Sequence, residues 1–217
     1  MADTRKHRGP DHADDVLFSE KMLGRLRDGV RDLSWLLGRA YAEPSALKLV
    51  GDRYQLKRRQ REALRRAACA EADRASREAK RVAPADVRDR VLWVDGFNVL
   101  ITIEAALSDA VLLVCRDGCL RDIASIHGTY RQVQETREAV TILGEVIQQM
   151  APASVRLYLD RPVSNSGRLR NLMESMARER GWPWEVHLVQ DPDPVLTNKA
   201  SGALAKPFKT HYNALDI

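Results

Sequence analysis

Apolar residues recur every third or fourth position in the front part of this chain and cluster in short runs further on. Over residues 20–41, Met22, Leu23, Leu26, Val30, Leu33, Leu36 and Leu37 share one face at helical spacing, which predicts an amphipathic helix. Glu43-Pro44 ends it, because the residue before a proline avoids the helical region. A short helix is expected over 45–50, closed by Gly51-Asp52. A longer one is expected over 53–79, where Arg, Ala, Glu and Lys are strong helix formers and Leu56, Leu64, Ala67 and Ala68 give a thin apolar stripe. Residues 1–18 read as a polar, flexible tail.

Beyond Ala83-Pro84-Ala85 the pattern changes. Residues 91–94 form a continuous apolar run ending in Asp95-Gly96, the signature of a buried strand in a parallel sheet. A second apolar run covers 110–115, ending in Arg116-Asp117-Gly118. Further strands are expected over 155–159, ending in Asp160, and over 184–189, followed by Asp191-Pro192-Asp193-Pro194. Helical periodicity covers 133–150 and 167–180, the latter stopped by Gly181. Strands alternating with helices predict an α/β domain over 90–198 with a doubly wound, mainly parallel sheet, preceded by a small all-helical domain over 19–82. Residues 199–217 lack periodicity, contain Gly202 and Pro207, and are expected to be poorly ordered.

Charge sharpens this division. Residues 1–90 carry 22 Lys and Arg against 15 Asp and Glu, whereas residues 91–217 carry 13 against 15. On the expected helix over 53–79, Lys57, Arg61 and Arg65 lie at i, i+4 and i+8, and Arg58 widens their face. Such an array suits a phosphate backbone, with no base reading; a solvated helix surface has the same pattern. RNA is therefore an expected partner of a basic helical domain. No apolar run approaches the roughly 18 residues of a membrane helix, so no membrane is expected. The first ten residues lead into no apolar core of a secretory leader, and three cysteines suit a reduced cytoplasm. Composition leaves the oligomeric state open, a homodimer included.

Candidate chemistry sits where the strands end. In open α/β sheets, ligands bind beyond the carboxyl ends of the strands. Asp95, Asp117, Asp160 and Asp191 or Asp193 follow the four expected strands. Parallel neighbours would gather these carboxylates at one edge, where Mg²⁺ or Mn²⁺ would relieve their repulsion. Two such ions would activate a water and stabilise the leaving oxygen of a phosphodiester. Asp-Gly and Asp-Pro are also ordinary turn pairs, and that reading applies to each aspartate singly. Asp95 and Asp160 stand out because each directly follows an apolar run and has polar company. Asn98 follows Asp95 by three residues, and Gly96 lets backbone approach the site. After Asp160 come Arg161, Ser164, Asn165, Ser166 and Arg168, a helix start flanked by arginines that suits an anion. Asp117 or Asp122 would supply a third ligand, and the sequence does not choose between them. Cys115, Cys119 and His127 are too loosely spaced, without a second pair, for a zinc site. No Walker-type loop or Gly-x-Ser-x-Gly elbow is present in the sequence.

The string VLWVDGFNVL, from Val91 to Leu100, resembles the opening motif of the NYN branch of PIN-like ribonucleases, and VRLYLDR, ending at Arg161, resembles that superfamily's central acidic strand. Longer strings, at 45–64, 94–107, 115–131 and 158–169, resemble an uncharacterised prokaryotic family that joins a basic N-terminal region to a PIN/NYN-like domain. The resemblance implies a PIN/NYN-like fold with Asp95 and Asp160 at the acidic positions. PIN-like domains commonly draw a further acidic ligand from a later strand, where this chain instead runs KASGALAKPFKTHYNALDI, with Asp216 its one acid. A truncated or frame-altered end is the expectation there.

The expected function is a metal-dependent ribonuclease. Asp95, Asp160, Asp117, Asp122, Asp191 and Asp193 are its candidate acidic residues and Mg²⁺ or Mn²⁺ its cofactor. Asn98, Arg161, Ser164, Asn165 and Arg168 are expected to hold the scissile phosphate, and Lys57, Arg58, Arg61 and Arg65 the RNA. The alternatives are an inactive nucleic-acid-binding protein on the same fold, and a small-molecule phosphohydrolase or nucleotide-binding enzyme.

Overall fold

The computed structural model describes residues 7–124, 130–199, 203–204 and 214–217. In chain order the elements are α1 (Asp14–Leu17), α2 (Glu20–Leu37), α3 (Glu43–Arg53), α4 (Arg58–Ala67), α5 (Glu71–Ala79), β1 (Arg81–Val82), β2 (Val91–Asp95), α6 (Gly96–Leu107), β3 (Leu112–Val114) and β4 (Leu120–Asp122), with a short 3-10 turn over Pro84–Val87. They continue with α7 (Thr136–Gln149), β5 (Ser154–Asp160), α8 (Ser166–Arg180), β6 (Trp184–Val189), α9 (Pro192–Lys199), β7 (Ala203–Leu204) and β8 (Ala214–Asp216). The chain is a mixed α/β protein with a small parallel sheet and an N-terminal helical region. It divides into a sheet unit, from the described residues of 1–8, 82–108 and 124–204, and a helical unit, from those of 9–81, 109–123 and 205–217.

In the sheet unit, β2, β5 and β6 form a three-stranded parallel sheet with β5 at its centre. The register runs from Val91 opposite Ser154 to Asp95 opposite Tyr158, and from Val155 opposite Trp184 to Asp160 opposite Val189. All three strands therefore end at the same edge. Val155, Leu157 and Leu159 of the central strand are fully buried, as the covered centre of a parallel sheet requires. Helix α6 packs on α7 and α7 on α8, while α9 lies against β2 and β5. Gly96 at the start of α6 is a packing requirement: a Cβ there would stand 2.7 Å from Leu159 Cδ2 and 3.2 Å from the Tyr158 carbonyl. Helix α8 ends at Gly181, whose φ of 66° is the left-handed cap that glycine adopts without strain.

The helical unit has its own core. Leu26, Val30 and Leu33 of α2 pack with Ala46 and Val50 of α3, Ala63 and Leu64 of α4, and Leu113 of β3. Each fully buried leucine contributes about 1.5–3 kcal/mol relative to exposure. Strand β3 is flanked by β4, antiparallel, and β8, parallel.

Three expectations need correction. The apolar run over 110–115 is not a strand of the parallel sheet. Its following residues turn at once, with the Gly118 N–H bonded to the Cys115 carbonyl and Gly118 at φ 76°. That makes a hairpin with β4, since a parallel crossover needs a dozen or more residues. The parallel sheet consequently runs in one direction, β2-β5-β6, and is not doubly wound among the described residues. Second, the helix expected over 53–79 is two, α4 and α5, with extended backbone at Ala68 and Ala70 between them. Burial of Ala67, Cys69 and Ala70 fixes that bend. Third, the end of the tail expected to be poorly ordered forms β8, and Ile217 is buried in the helical core. The alternation of Leu215 and Ile217 is too short a signal to read as a strand. Residues 205–213 lie outside the described residues.

Candidate functional site: an acidic sheet edge

Strand β2 passes directly into α6, so Asp95 is both the last strand residue and the helix N-cap. Its carboxylate accepts the Asn98 backbone N–H at 3.0 Å and the Asn98 Nδ2–H at 2.6 Å. An aspartate N-cap followed at its third helical position by an amide that bonds back is a local arrangement the sequence dictates. Asp160 ends the adjacent strand β5, two register positions beyond the level of Asp95. Asp191 and Asp193 follow β6; the Asp191 Oδ1 accepts the Asp193 N–H at 3.0 Å, capping α9.

These carboxylates act on one another. Burial pushes Asp95 up from the ordinary 3.8 to about 6; repulsion from Asp160 and Asp193 adds to the rise, and the bonds from Asn98 oppose it. Asp160 is also raised, by burial first and then by Asp191 and Asp193. A carboxyl that titrates near pH 6 is mostly ionised at neutrality, and a cation relieves the clustered charge. Among the described residues, no group of three or more His, Cys, Asp or Glu side chains stands in metal-holding geometry. Mg²⁺ makes a smaller demand, since it is held by one or two carboxylates and keeps several waters. Asp95 and Asp160 meet that demand in donor type and charge.

The expected phosphate ligands divide. Arg161 lies at this edge: its backbone N–H donates to the Val189 carbonyl at 2.7 Å and its Nη2 to the Leu188 carbonyl at 3.1 Å, leaving other guanidinium donors outward. Ser164 and Arg168 are exposed. Asn165 is engaged in structure. It sits at φ 67° before α8 and donates its Nδ2–H to the Tyr130 carbonyl at 2.8 Å.

Sequence reasoning missed what holds this edge from beneath. Glu104 of α6 has no exposed surface, and its Oε1 accepts the Tyr130 hydroxyl at 2.5 Å and the Thr136 hydroxyl at 2.6 Å. Arg8 donates its Nε–H to Glu104 Oε2 at 2.7 Å. Burial, with Glu104 beside it, drives the Tyr130 hydroxyl well above its usual range. The Tyr130 ring packs on Phe97 at 5.1 Å, and Phe97 follows Asp95 within the first turn of α6. Tyr130 thus joins the helix that carries Asp95 to the loop that follows Asp160. The available signal was Glu104 itself, a lone acid inside the apolar stretch Leu100–Leu107.

Asp117 and Asp122 belong to the helical unit. Asp117 is a salt-bridge acceptor: Arg121 reaches it at 2.6 and 2.7 Å and Arg77 at 2.6 Å, and the Cys119 N–H adds a bond at 3.1 Å. Burial opposes its ionisation, but these arginines hold it well below the usual carboxylate range. Asp122 is buried at the end of β4. The basic face is partly neutralised from within. Arg61 bonds Asp52 at 2.8 Å and the Leu56 carbonyl at 2.9 Å, and Arg65 bonds Glu62 at 3.0 Å. Lys57 and Arg58 are exposed. His127 lies outside the described residues.

No helix of the described chain is long and apolar enough to cross a membrane. No solved structure matches the chain. The uncharacterized protein MJ0935 of Methanocaldococcus jannaschii is 28% identical over 168 residues, which cover 77% of this chain and 80% of that protein. A family described as a protein of unknown function (DUF434) matches residues 25–80, in the basic helical part. The family described as a domain of unknown function (DUF5616) matches residues 84–205, more than half of the chain and all of the acidic edge, and the chain belongs to that family.

Proposed function

We propose that the acidic edge binds a divalent cation, Mg²⁺ or Mn²⁺, and that the chain is a cytoplasmic ribonuclease of PIN/NYN-like type. The observation that carries this reading is the pairing of Asp95 and Asp160 at adjacent strand ends, both raised from the ordinary carboxylate value. Two carboxylates that resist ionising together are a cation site in need of a cation. The resemblance of the β2 and β5 strings to PIN-like motifs supports the same reading. When bound, the ion would supply Lewis acidity to the scissile phosphate and lower the pKa of a water. Asp95 and Asp160 would hold it, with Asp193 adding its charge to both. Asn98 fixes the Asp95 carboxylate in one orientation through two hydrogen bonds. Arg161, tethered through the Leu188 carbonyl, offers its remaining N–H donors to a phosphate oxygen.

The test is cleavage of end-labelled single-stranded RNA by the full chain with Mn²⁺, against chelator. Activity that requires the ion and is abolished in Asp160→Asn supports the reading; no cleavage by the wild type refutes it. A second reading is an inactive nucleic-acid-binding protein. It is favoured by the lack of a three-carboxylate set among the described residues and by 17 Lys and Arg against 12 Asp and Glu over residues 9–81.

A further inference from the structure

Among the large apolar side chains that the helical unit exposes, Val16, Trp35, Tyr41 and Leu49, the two aromatics lie at one connection. Trp35, in the last turn of α2, is 54% exposed, and Tyr41, between α2 and α3, is 52% exposed. A half-exposed tryptophan leaves a large apolar surface with a polar N–H handle available to a partner. The geometry identifies what kind. The guanidinium of Arg39 lies 3.4 Å from the centroid of the Trp35 ring. Arg39 lies over the indole, and Trp35 nevertheless leaves more than half of its surface to solvent. An aromatic plane backed by a cation is half of a stacking sandwich. A nucleobase is the natural stacking partner of such an exposed indole, and a guanidinium beside it suits the adjoining phosphate. Tyr41, six residues on, offers a second exposed ring. Charge fits the same occupant, since Lys and Arg outnumber Asp and Glu through this unit.

We propose that Trp35 and Tyr41, with Arg39 behind the indole, form a stacking platform for the bases of single-stranded RNA. The proposal rests on the ribonuclease reading for its choice of RNA, and it gives that reading a substrate-binding surface outside the basic face over 57–65. Stacking is tolerant of sequence, because every base has a π-face, so the platform selects strandedness and not a motif.

The probe is a fluorescein-labelled oligouridylate, titrated with the full chain and followed by anisotropy in the presence of chelator. Without metal the readout is independent of cleavage. Each stacked base is worth about 1–3 kcal/mol, so Trp35→Ala should weaken binding roughly 5- to 150-fold. Trp35→Phe should restore most of the loss, and Tyr41→Ala should weaken binding by a smaller factor. Arg39→Ala should weaken it and flatten the salt dependence by up to about 0.7 in the log–log slope. The positions are exposed, so all variants should retain the wild-type melting temperature. Unchanged affinity in Trp35→Ala, or a wild type that does not bind the probe, overturns the platform. So does a concentration-dependent dimer, seen by sedimentation, that Trp35→Ala dissociates, since a second copy would then own the surface. Trp35-dependent binding by a chain that cuts no RNA with Mn²⁺ upholds the platform and refutes the ribonuclease.

Discussion

Replacing Asp95 with asparagine should stabilise the metal-free protein, and by an amount that depends on pH. The Asp95 carboxyl is raised from 3.8 to about 6 in the fold, chiefly by burial. Such a group binds its proton more tightly folded than unfolded, so folding takes up a proton between these two values. Stability is therefore lost as pH rises from about 4 to about 6, and the cost is then constant. At about 1.36 kcal/mol per pH unit the full cost is at most about 3 kcal/mol. Solvent at this half-buried edge screens part of it, leaving about 1–3 kcal/mol. The asparagine side chain would carry no charge, would still cap α6 with its Oδ1, and would fit the same volume. Urea unfolding of both proteins at pH 4 to pH 8, in chelator, gives the measurement. The stability difference should be near zero at pH 4, should open between pH 4 and pH 6 in favour of Asp95→Asn, and should stay level above. A difference independent of pH, or one that favours the wild type as pH rises, would refute the reasoning that burial and repulsion raise this carboxyl.

The buried polar network beneath the edge should be costly to open. Arg8→Ala leaves the Glu104 carboxylate buried without its guanidinium and should cost about 3–5 kcal/mol in urea unfolding, while the double variant Arg8→Ala/Glu104→Gln should recover part of the loss. Gly144→Ala should cost about 1–3 kcal/mol or more by the same measurement, because a Cβ there would collide with the Trp182 indole, a ring with little room to shift.

How much of this was legible in the sequence follows from the range of each cause. The strand at 154–160 was readable because its buried residues leave a dense apolar run, 91–95 because four apolar residues run straight into Asp-Gly although each is only half-buried, and 184–189 because turn residues bound it on both sides. Helix α8 was readable because periodicity and Gly181 agree on its end. Asp95 and Asp160 were readable as strand-end acids, and the Asp95–Asn98 cap as a local motif. The partner of the 110–115 run was not readable, since which sheet a short apolar run joins depends on contacts distant in sequence. Helix α6 escaped because its apolar residues nearly surround it and leave little periodicity between Gly96 and Leu107. The pairing of Arg61 with Asp52 and of Asp117 with Arg77 links positions 9 and 40 apart, which composition cannot foresee. The same holds for Glu104 and Arg8, 96 residues apart.

The central claim is that Asp95 and Asp160 together hold a divalent cation, and a thermal melt with and without Mn²⁺ tests it most directly. An ion that binds the folded chain stabilises it by RT ln(1 + [L]/Kd), about 2.7 kcal/mol at a hundredfold excess over Kd. The wild type should therefore melt several degrees higher in excess Mn²⁺, and Asp95→Asn and Asp160→Asn should each lose that rise while remaining folded. A wild type indifferent to Mn²⁺ and Mg²⁺, or variants that keep the full rise, would contradict the account.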